Sequence, residues 1–171
     1  MMIKIAREVM RFILIDKVVL LDPGRHIKTV KGVSLAEEYL GDHFPTFPVL
    51  PGVFLLQGLV ESASWLVRQA QGFAHSMVLL EQTRNVKYKS FLSPGMQITY
   101  TVDAKTLDDK ISSFIGYGES GDQRIVEARL TLRHFNLAEN NKALADTDAE
   151  IINALQQRWH LLKPKQGNDK T

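Results

Sequence analysis

The sequence contains no cysteine in its 171 residues. This absence excludes disulfides, thiolate metal ligands and cysteine nucleophiles together. It is typical of proteins in a reducing compartment, where disulfides are rare. We therefore expect a cytoplasmic protein whose chemistry depends on other side chains.

Long hydrophobic runs are also lacking. The longest apolar stretch, residues 53–67, is interrupted by Gln57, Glu61, Ser62 and Ser64. It is shorter than the roughly 20 residues that a membrane-spanning helix needs. The first eleven residues carry four charged side chains and do not resemble a secretory signal. We expect no membrane association.

The excess of positive over negative charge is also small. The net charge is +2 and the chain has no long basic block, so a nucleic-acid partner is not expected. Apart from His43, the histidines have no ligand-like spacing: His26, His75, His134 and His160. Glycine-rich phosphate loops and serine nucleophile motifs are absent. We therefore predict neither a metal nor any other cofactor.

The hydrophobic pattern predicts an α+β protein in which a sheet wraps around one long helix. Residues 12–21 and 26–33 are predicted to form an early hairpin, since the first segment is rich in Ile, Leu and Val and ends in a turn. Residues 98–105 and 126–133 alternate between apolar and polar, as in half-buried strands. Residues 52–71 are apolar nearly all round, as in a buried helix. Turn-like links at residues 107–110 and 118–122 favour an antiparallel meander.

The C-terminal segment is predicted to be an appendage to this domain. We divide the chain, whose length suits one domain with an extension, at residue 135 into residues 1–135 and 136–171. Thr147-Asp-Ala-Glu150 has the form of a capping box, which predicts an amphipathic helix over about 148–162. Its apolar face would hold Ile151, Ile152, Leu155, Trp159 and Leu162. This helix would dock on the sheet or on a partner subunit, and a frayed tail would follow Pro164.

The most informative segment is His43-Phe-Pro-Thr-Phe-Pro-Val-Leu-Pro-Gly-Val53. Its three prolines make it a stiff, non-helical lead-in. Pro51-Gly52 is typical of a helix start, where the first N–H groups have no acceptor inside the helix. A histidine held near such a terminus is suited to act as a general base beside a binding site for a carbonyl oxygen or oxyanion.

With these residues the chain resembles the 3-hydroxyacyl-acyl-carrier-protein dehydratases of fatty-acid synthesis, the FabZ/FabA type with the hot-dog fold. The resemblance rests on residues 43–53, with supporting matches at residues 12–18 and 88–95, and covers about residues 9–135. It implies a substrate that is an acyl thioester on acyl carrier protein or CoA. It also implies a homodimer or higher oligomer, with a heterodimer as the alternative.

The resemblance implies a mechanism and shows one departure from it. His43 would remove a proton from C2 of the substrate, and the Gly52 amide would polarise the thioester carbonyl. The family's carboxylic acid, which the other subunit supplies to protonate the departing hydroxyl, falls on Gln57, and glutamine has no proton to give. Glu61 lies one helical turn further on, about 6 Å along the axis. Dehydration would then be re-routed through Glu61, slowed by about 10²- to 10⁴-fold, or absent.

Each of these residues also has a structural interpretation. His43 could cap a turn, and Gln57 could be a buried amide bonded to the backbone or to Ser64. Gln57, Glu61, Ser64 and Arg68 share one helix face, so Glu61 could pair with Arg68 or with another basic residue. For Gly52 the two interpretations agree, because a tight helix entry also exposes the amide dipole.

The resemblance also suggests binding surfaces. Four residues around the helix start are candidates for substrate binding: Phe44, Pro51, Val53 and Phe54. An acyl tunnel beside the helix would be lined by Phe54, Leu55, Leu59 and Trp65. Three basic residues are candidates for docking an acidic carrier protein, although such charges are usually a solvated face: Arg84, Lys87 and Lys89.

Three functions stay open at this point. The first is a dehydratase that uses His43 and Gly52 with Gln57 or Glu61 at the acid position. The second is a non-catalytic hot-dog subunit or acyl-binding partner in a heteromeric dehydratase, which Gln57 favours and the retained His43 opposes. The third is a hot-dog thioesterase in which Glu61 acts as nucleophile or base.

Overall fold

In the computed structural model, which describes residues 13–164, six antiparallel strands form one sheet in the order β1-β2-β4-β5-β6-β3. The strands are β1 Lys17–Asp22, β2 His26–Gly32, β3 Met77–Tyr88, β4 Gln97–Leu107, β5 Ile111–Ser120 and β6 Gln123–Phe135. The helices are α1 Tyr39–Asp42, α2 Gly52–Ala70 and α3 Ala145–Leu162, and 3-10 turns cover Leu137–Glu139 and Lys142–Leu144. The N-terminal segment and the predicted frayed tail lie outside the described residues.

The long helix α2 packs against the inner face of this sheet and forms the core with it. Its Leu55, Leu59 and Leu66 are almost completely buried, as are Tyr100 and Val102 of β4. The predicted hot-dog fold and the predicted helix are therefore confirmed. No helix within residues 13–164 is long and apolar enough to cross a membrane.

The four predicted strand segments correspond to β1, β2, β4 and β6, and the structure adds two further strands, β3 and β5. In β6, Val126, Ala128, Leu130 and Leu132 are buried, whereas Arg129 and Arg133 are exposed. The sequence pattern did not predict β5. The predicted links were also too long, because Leu107 belongs to β4 and residues 118–120 belong to β5. The turn that joins β5 to β6 is only residues 121–122.

The C-terminal helix begins earlier than predicted. It starts at Ala145, so the predicted capping box at Thr147 is wrong and that residue lies inside the first turn. The carboxylate of Asp148 instead accepts hydrogen bonds from the Ser76 hydroxyl and from the amides of Leu137 and Ala138, the amide bonds both being 2.9 Å. The bond from Ser76 ties the extension to the residue just before β3.

The C-terminal helix docks on its own chain. Trp159 lies against Trp65 of α2, with ring centroids 5.8 Å apart. Trp159 and Leu162 are buried, and Leu155 packs against the same core. The predicted apolar face therefore meets the central helix, and strand β1 lies beside it.

Glycine in the middle of α2 permits the closest approach between this helix and the sheet. A Cβ atom on Gly58 would lie 2.3 Å from Cζ of Tyr100 and 2.4 Å from its hydroxyl oxygen. Tyr100 is completely buried, so its ring has no free space to move into. Glycine inside a helix lowers stability, but it is needed at position 58 because the Tyr100 ring occupies the volume of a side chain there.

We expect Gly58→Ala to destabilise the protein by up to about 2 kcal/mol, since an overpacking cost of about 1–3 kcal/mol outweighs the gain in helix propensity of roughly 1 kcal/mol. Urea unfolding followed by circular dichroism measures the change. Gly41→Ala is the matched control, because Gly41 lies in α1 and a Cβ there would meet nothing within 4 Å. Equal stabilities of the two variants would contradict this packing argument.

Candidate active site

The loop between α1 and α2 fixes the imidazole of His43. The ring Nδ1 lies 3.0 Å from the Val49 carbonyl oxygen, and the Val49 amide donates to the His43 carbonyl at 3.0 Å. Because a carbonyl oxygen can only accept, Nδ1 is the nitrogen that bears the proton in the neutral imidazole, and the lone pair of that tautomer is on Nε2. The ring also stacks on Phe44, with centroids 4.2 Å apart. The predicted turn-capping contact is therefore present, and the other ring nitrogen, Nε2, has no hydrogen-bond partner among residues 13–164.

The start of α2 presents unpaired amides three residues beyond Val49. Pro51 caps the helix in an extended conformation, with φ −54° and ψ 137°. Its carbonyl oxygen accepts from the amides of Phe54 and Leu55 at 2.9 and 3.2 Å. The amides of Gly52 and Val53 have no acceptor among residues 13–164. Two free N–H groups at the positive end of a 19-residue helix suit a carbonyl oxygen that gains negative charge.

Tyr88 closes one side of this helix start. Its ring atoms Cε1, Cζ and Cδ1 lie 3.3, 3.4 and 3.5 Å from the position that a Cβ on Gly52 would occupy. A Cβ at position 52 would therefore touch the ring closely, so the ring and the start of α2 pack directly against each other. Burial raises the pKa of the Tyr88 phenol. Sequence reasoning used Tyr88 only as part of the resemblance and gave it no role.

We call the four polar residues that share one face of α2 the polar stripe: Gln57, Glu61, Ser64 and Arg68. Their exposure falls from the start of the helix toward its middle. Gln57 is exposed, so the interpretation of a buried amide is wrong. Glu61 is half-buried, and its carboxylate accepts from the Leu14 amide at 3.1 Å. Ser64 is buried and its hydroxyl donates to the Val60 carbonyl at 2.8 Å. Gln57 is thus the only member of the stripe whose side chain is freely presented to a partner molecule.

The electrostatics of Glu61 follow from its burial. Burial raises the pKa of this carboxyl, against the lowering effects of the Leu14 amide and of the charges on Arg158, Arg68 and Lys31. In the described part of the chain Glu61 and Arg68 form no ion pair within 4.0 Å. Burial lowers the pKa of Arg68 to about 10, and its guanidinium lies 5.4 Å from the Trp65 ring centroid. Glu61 therefore interacts with its own chain through a backbone hydrogen bond and through longer-range attraction to cationic side chains.

Apolar side chains surround the helix start and remain accessible. Val53 is 66% exposed and Phe44 52% exposed, whereas Phe54 is half-buried against Tyr39, with centroids 4.9 Å apart. Two further exposed rings, Phe47 and Phe91, contact each other at 5.8 Å. We call Phe44, Phe47, Val53, Tyr88 and Phe91 the entrance patch. Such a patch on a small protein marks a surface that another molecule covers.

Three residues of the expected tunnel belong to the core instead. Leu55, Leu59 and Trp65 are each at most 2% exposed. Leu59 contacts the backbone side of β5 near Gly116, and Trp65 faces Trp159. Their surface is already used by the fold, so the expectation that they line an acyl tunnel was wrong. Pro51, Val53 and Phe54 lie at the helix start with Phe44 nearby.

Of the three basic docking candidates, Arg84 and Lys87 lie in the second half of β3 and Lys89 directly follows the strand. Lys87 and Lys89 both pair with the carboxylate of Glu127, at 3.4 and 2.9 Å. Arg84 stands directly opposite Arg129 of β6. With Lys105, these two arginines line a groove of about 380 Å³ on the outer face of the sheet. Within residues 13–164, Arg84 has no carboxylate partner of the kind that partly neutralises the two lysines.

A hot-dog protein with a histidine and unpaired amides at the start of its central helix is the class that the fold and this geometry define. The chain belongs to the family of FabA-like domains, whose model matches residues 7–129. It is 30% identical to the 3-hydroxyacyl-[acyl-carrier-protein] dehydratase FabZ of Verminephrobacter eiseniae, over 77% of this chain and 90% of that one. FabZ of Wolbachia pipientis wMel is 25% identical, over 70% and 84% of the two chains.

A solved structure supports the fold. The dehydratase heterocomplex ApeI:P from Xenorhabdus doucetiae matches with a TM-score of 0.64 and 19% sequence identity, over 80% of this chain and 91% of that chain. At this identity the likeness is one of fold. The described residues contain no group of three or more histidine and carboxylate side chains placed to hold a metal ion.

Proposed function

We propose that the protein dehydrates 3-hydroxyacyl thioesters, with His43 as the base. One observation carries the proposal: in a chain of the FabA-like family, the free Nε2 of His43 and the free amide of Gly52 lie at the two ends of one short loop. A base and a carbonyl-binding donor are the two groups that proton removal next to a thioester requires.

The mechanism follows from the groups present. Nε2 of His43 takes the proton from C2, and the C2–H electrons move toward the carbonyl oxygen, where the Gly52 amide stabilises the developing negative charge. The C3–O bond then breaks as the C2–C3 double bond forms. The departing hydroxyl takes its proton from the His43 imidazolium, so that water and the 2-enoyl thioester are the products. In this scheme Gln57 only orients the hydroxyl through hydrogen bonds.

A dimer would complete the site. Strand β3 is an edge strand of 12 residues with β6 as its neighbour, and it exposes Leu79 and Leu80. A long unpaired edge strand exposes a row of backbone hydrogen-bonding groups to which another chain can pair. We propose that a second copy of the chain pairs with β3, covers the entrance patch and brings its own exposed Gln57 to His43. The alternative is a heterodimer in which a related chain supplies the missing acid.

Glu61 has a structural role in this proposal. Its carboxylate already accepts from the Leu14 amide and lies beside buried cationic charge, so it is not free to attack a thioester. This arrangement disfavours the thioesterase hypothesis. It also disfavours transfer of the acid role from position 57 to position 61.

We further propose that the acyl group arrives on an acyl carrier protein and that the work takes place in the cytoplasm. Arg84 is the strongest of the docking candidates, because Lys87 and Lys89 share Glu127. The substrate-binding role of Phe44, Pro51, Val53 and Phe54 rests on their position at the helix start. Residues 136–171 form an extension outside the catalytic domain of residues 1–135.

The purified full-length chain is expected to convert a 3-hydroxyacyl carrier-protein thioester to the 2-enoyl product. Because a positioned carboxylic acid is missing, the rate should be about 10²- to 10⁴-fold below that of an enzyme of this family with the acid in place. Product absorbance near the enoyl band measures the rate. Release of free thiol would indicate a thioesterase. A folded protein that turns over substrate only after addition of a second hot-dog chain would indicate a non-catalytic subunit.

A further inference from the structure

The end of strand β3 brings a phenol to the start of the central helix. Tyr88 is the last residue of β3 and pairs with Val126 of β6. The next amide, that of Lys89, donates to the Ile125 carbonyl at 2.8 Å, so the backbone on both sides of the ring is fixed. The pairing of β3 with β6 therefore fixes the position of the Tyr88 ring against Gly52 of α2, although these elements are far apart in sequence.

The hydroxyl of Tyr88 lies at the same end of the helix as the free amides. The ring carbon that bears the hydroxyl, Cζ, is 3.4 Å from the position of a Cβ on Gly52. In the described part of the chain the hydroxyl has no hydrogen-bond partner, and the side chain is 48% exposed. A polar group that is held in place by its ring and lacks a partner is available to a ligand at the helix start.

We propose that Tyr88 is a catalytic residue whose hydroxyl donates a second hydrogen bond to the thioester carbonyl oxygen bound by the Gly52 amide. This inference rests on the proposed function. When His43 removes the C2 proton, negative charge develops on that oxygen, and preorganised donors stabilise such charge strongly. The phenol donates its hydrogen bond without losing its proton, so the proton balance of the reaction is unchanged. The raised pKa of Tyr88 keeps it protonated at neutral pH.

The alternative is that Tyr88 only fills space over Gly52. The two roles separate cleanly, because Tyr88→Phe keeps the ring against Gly52 and removes only the hydroxyl. Tyr117→Phe is the matched control. Tyr117 lies on β5, and its ring is covered by the Arg124 guanidinium at 3.6 Å. It is not part of the helix start.

Two measurements test the role of Tyr88. The first is kcat for dehydration, which should fall by about 10- to 10²-fold in Tyr88→Phe, as for a hydrogen bond to a charged group, while KM changes little. The second is the infrared C=O stretch of bound ¹³C-crotonyl N-acetylcysteamine, which carries the product's enoyl thioester and needs no turnover. Its frequency should be lowered in the wild type and partly restored to the free value in Tyr88→Phe. Tyr117→Phe should change neither quantity.

The outcomes distinguish this inference from the proposed function. If the wild type dehydrates and Tyr88→Phe leaves both kcat and the C=O frequency unchanged, Tyr88 only fills space. If the wild type does not dehydrate, the proposed function fails, and the C=O frequency of the bound thioester still decides whether Tyr88 polarises the carbonyl. A frequency that is already the free value in the folded wild type also overturns the inference.

Discussion

Replacement of His43 by Gln is expected to lower kcat for dehydration by about 10²- to 10⁴-fold. The effect should be large because, in the proposed mechanism, the same imidazole takes the proton from C2 and gives it to the departing hydroxyl. The side-chain amide of glutamine can still donate to the Val49 carbonyl, which His43 Nδ1 reaches at 3.0 Å. The loop therefore keeps its hydrogen bond while the base is lost. Single-turnover rates on a 3-hydroxyacyl carrier-protein thioester measure the change.

The control for this substitution is His160→Gln, since His160 is exposed on α3 and far along the chain from the loop. It should leave the rate unchanged. Thermal unfolding of both variants shows whether the fold is intact. A His43→Gln variant that folds and retains the wild-type rate would refute the assignment of His43 as the base.

Local sequence signals predicted most of the fold. The helix expected over residues 52–71 is Gly52–Ala70, because a proline-glycine start and a continuous apolar run are both local features. Strand β6 was equally clear, since apolar and polar residues alternate along it from Val126 to Arg133. In such segments a residue's neighbours in sequence already decide its environment.

Strand β5 was missed because its buried positions hold small residues. Ser112, Gly116 and Gly118 face the core together with Phe114, so no apolar alternation is visible. The reason lies in packing: a Cβ on Gly116 would lie 3.1 Å from Leu59 of α2, and one on Gly118 would lie 2.6 Å from Ile98 of β4. The helix and the neighbouring strand therefore select small residues here, and that selection cannot be seen before the fold is known.

The candidate site shows the same difference between local features, which the sequence reveals, and contacts between distant segments, which it does not. His43 and Gly52 are nine positions apart, and their roles could be proposed from the motif around them. Tyr88 reaches Gly52 only through the pairing of β3 with β6. The environment of the Glu61 carboxylate likewise depends on the amide of Leu14 and on the charge of Arg158 of α3, both distant in sequence. Contacts between distant segments thus determine which residue of the polar stripe stays exposed, namely Gln57.

Replacement of Gln57 by Glu is expected to raise kcat for dehydration by about 10²-fold or more, because it restores a carboxylic acid at the position from which the hydroxyl can be protonated. Gln57 is exposed in the single chain, so the charge has little desolvation cost within its own subunit. Gln156→Glu on the exposed side of α3 is the matched control and should not change the rate. An unchanged rate in a folded Gln57→Glu variant would mean that position 57 does not reach the reacting hydroxyl.

A mixed dimer tests whether that acid acts across the interface. A chain that carries both His43→Gln and Gln57→Glu should be almost inactive alone, since it has the acid but no base. Paired with a wild-type chain, it should form one site that combines the wild-type His43 with Glu at position 57 of the other subunit. That mixture should therefore exceed the rate of the wild type, although neither chain contains both groups. If residues 43 and 57 of the same chain formed each site, mixing would only dilute the wild-type rate, and the proposed dimer would be wrong.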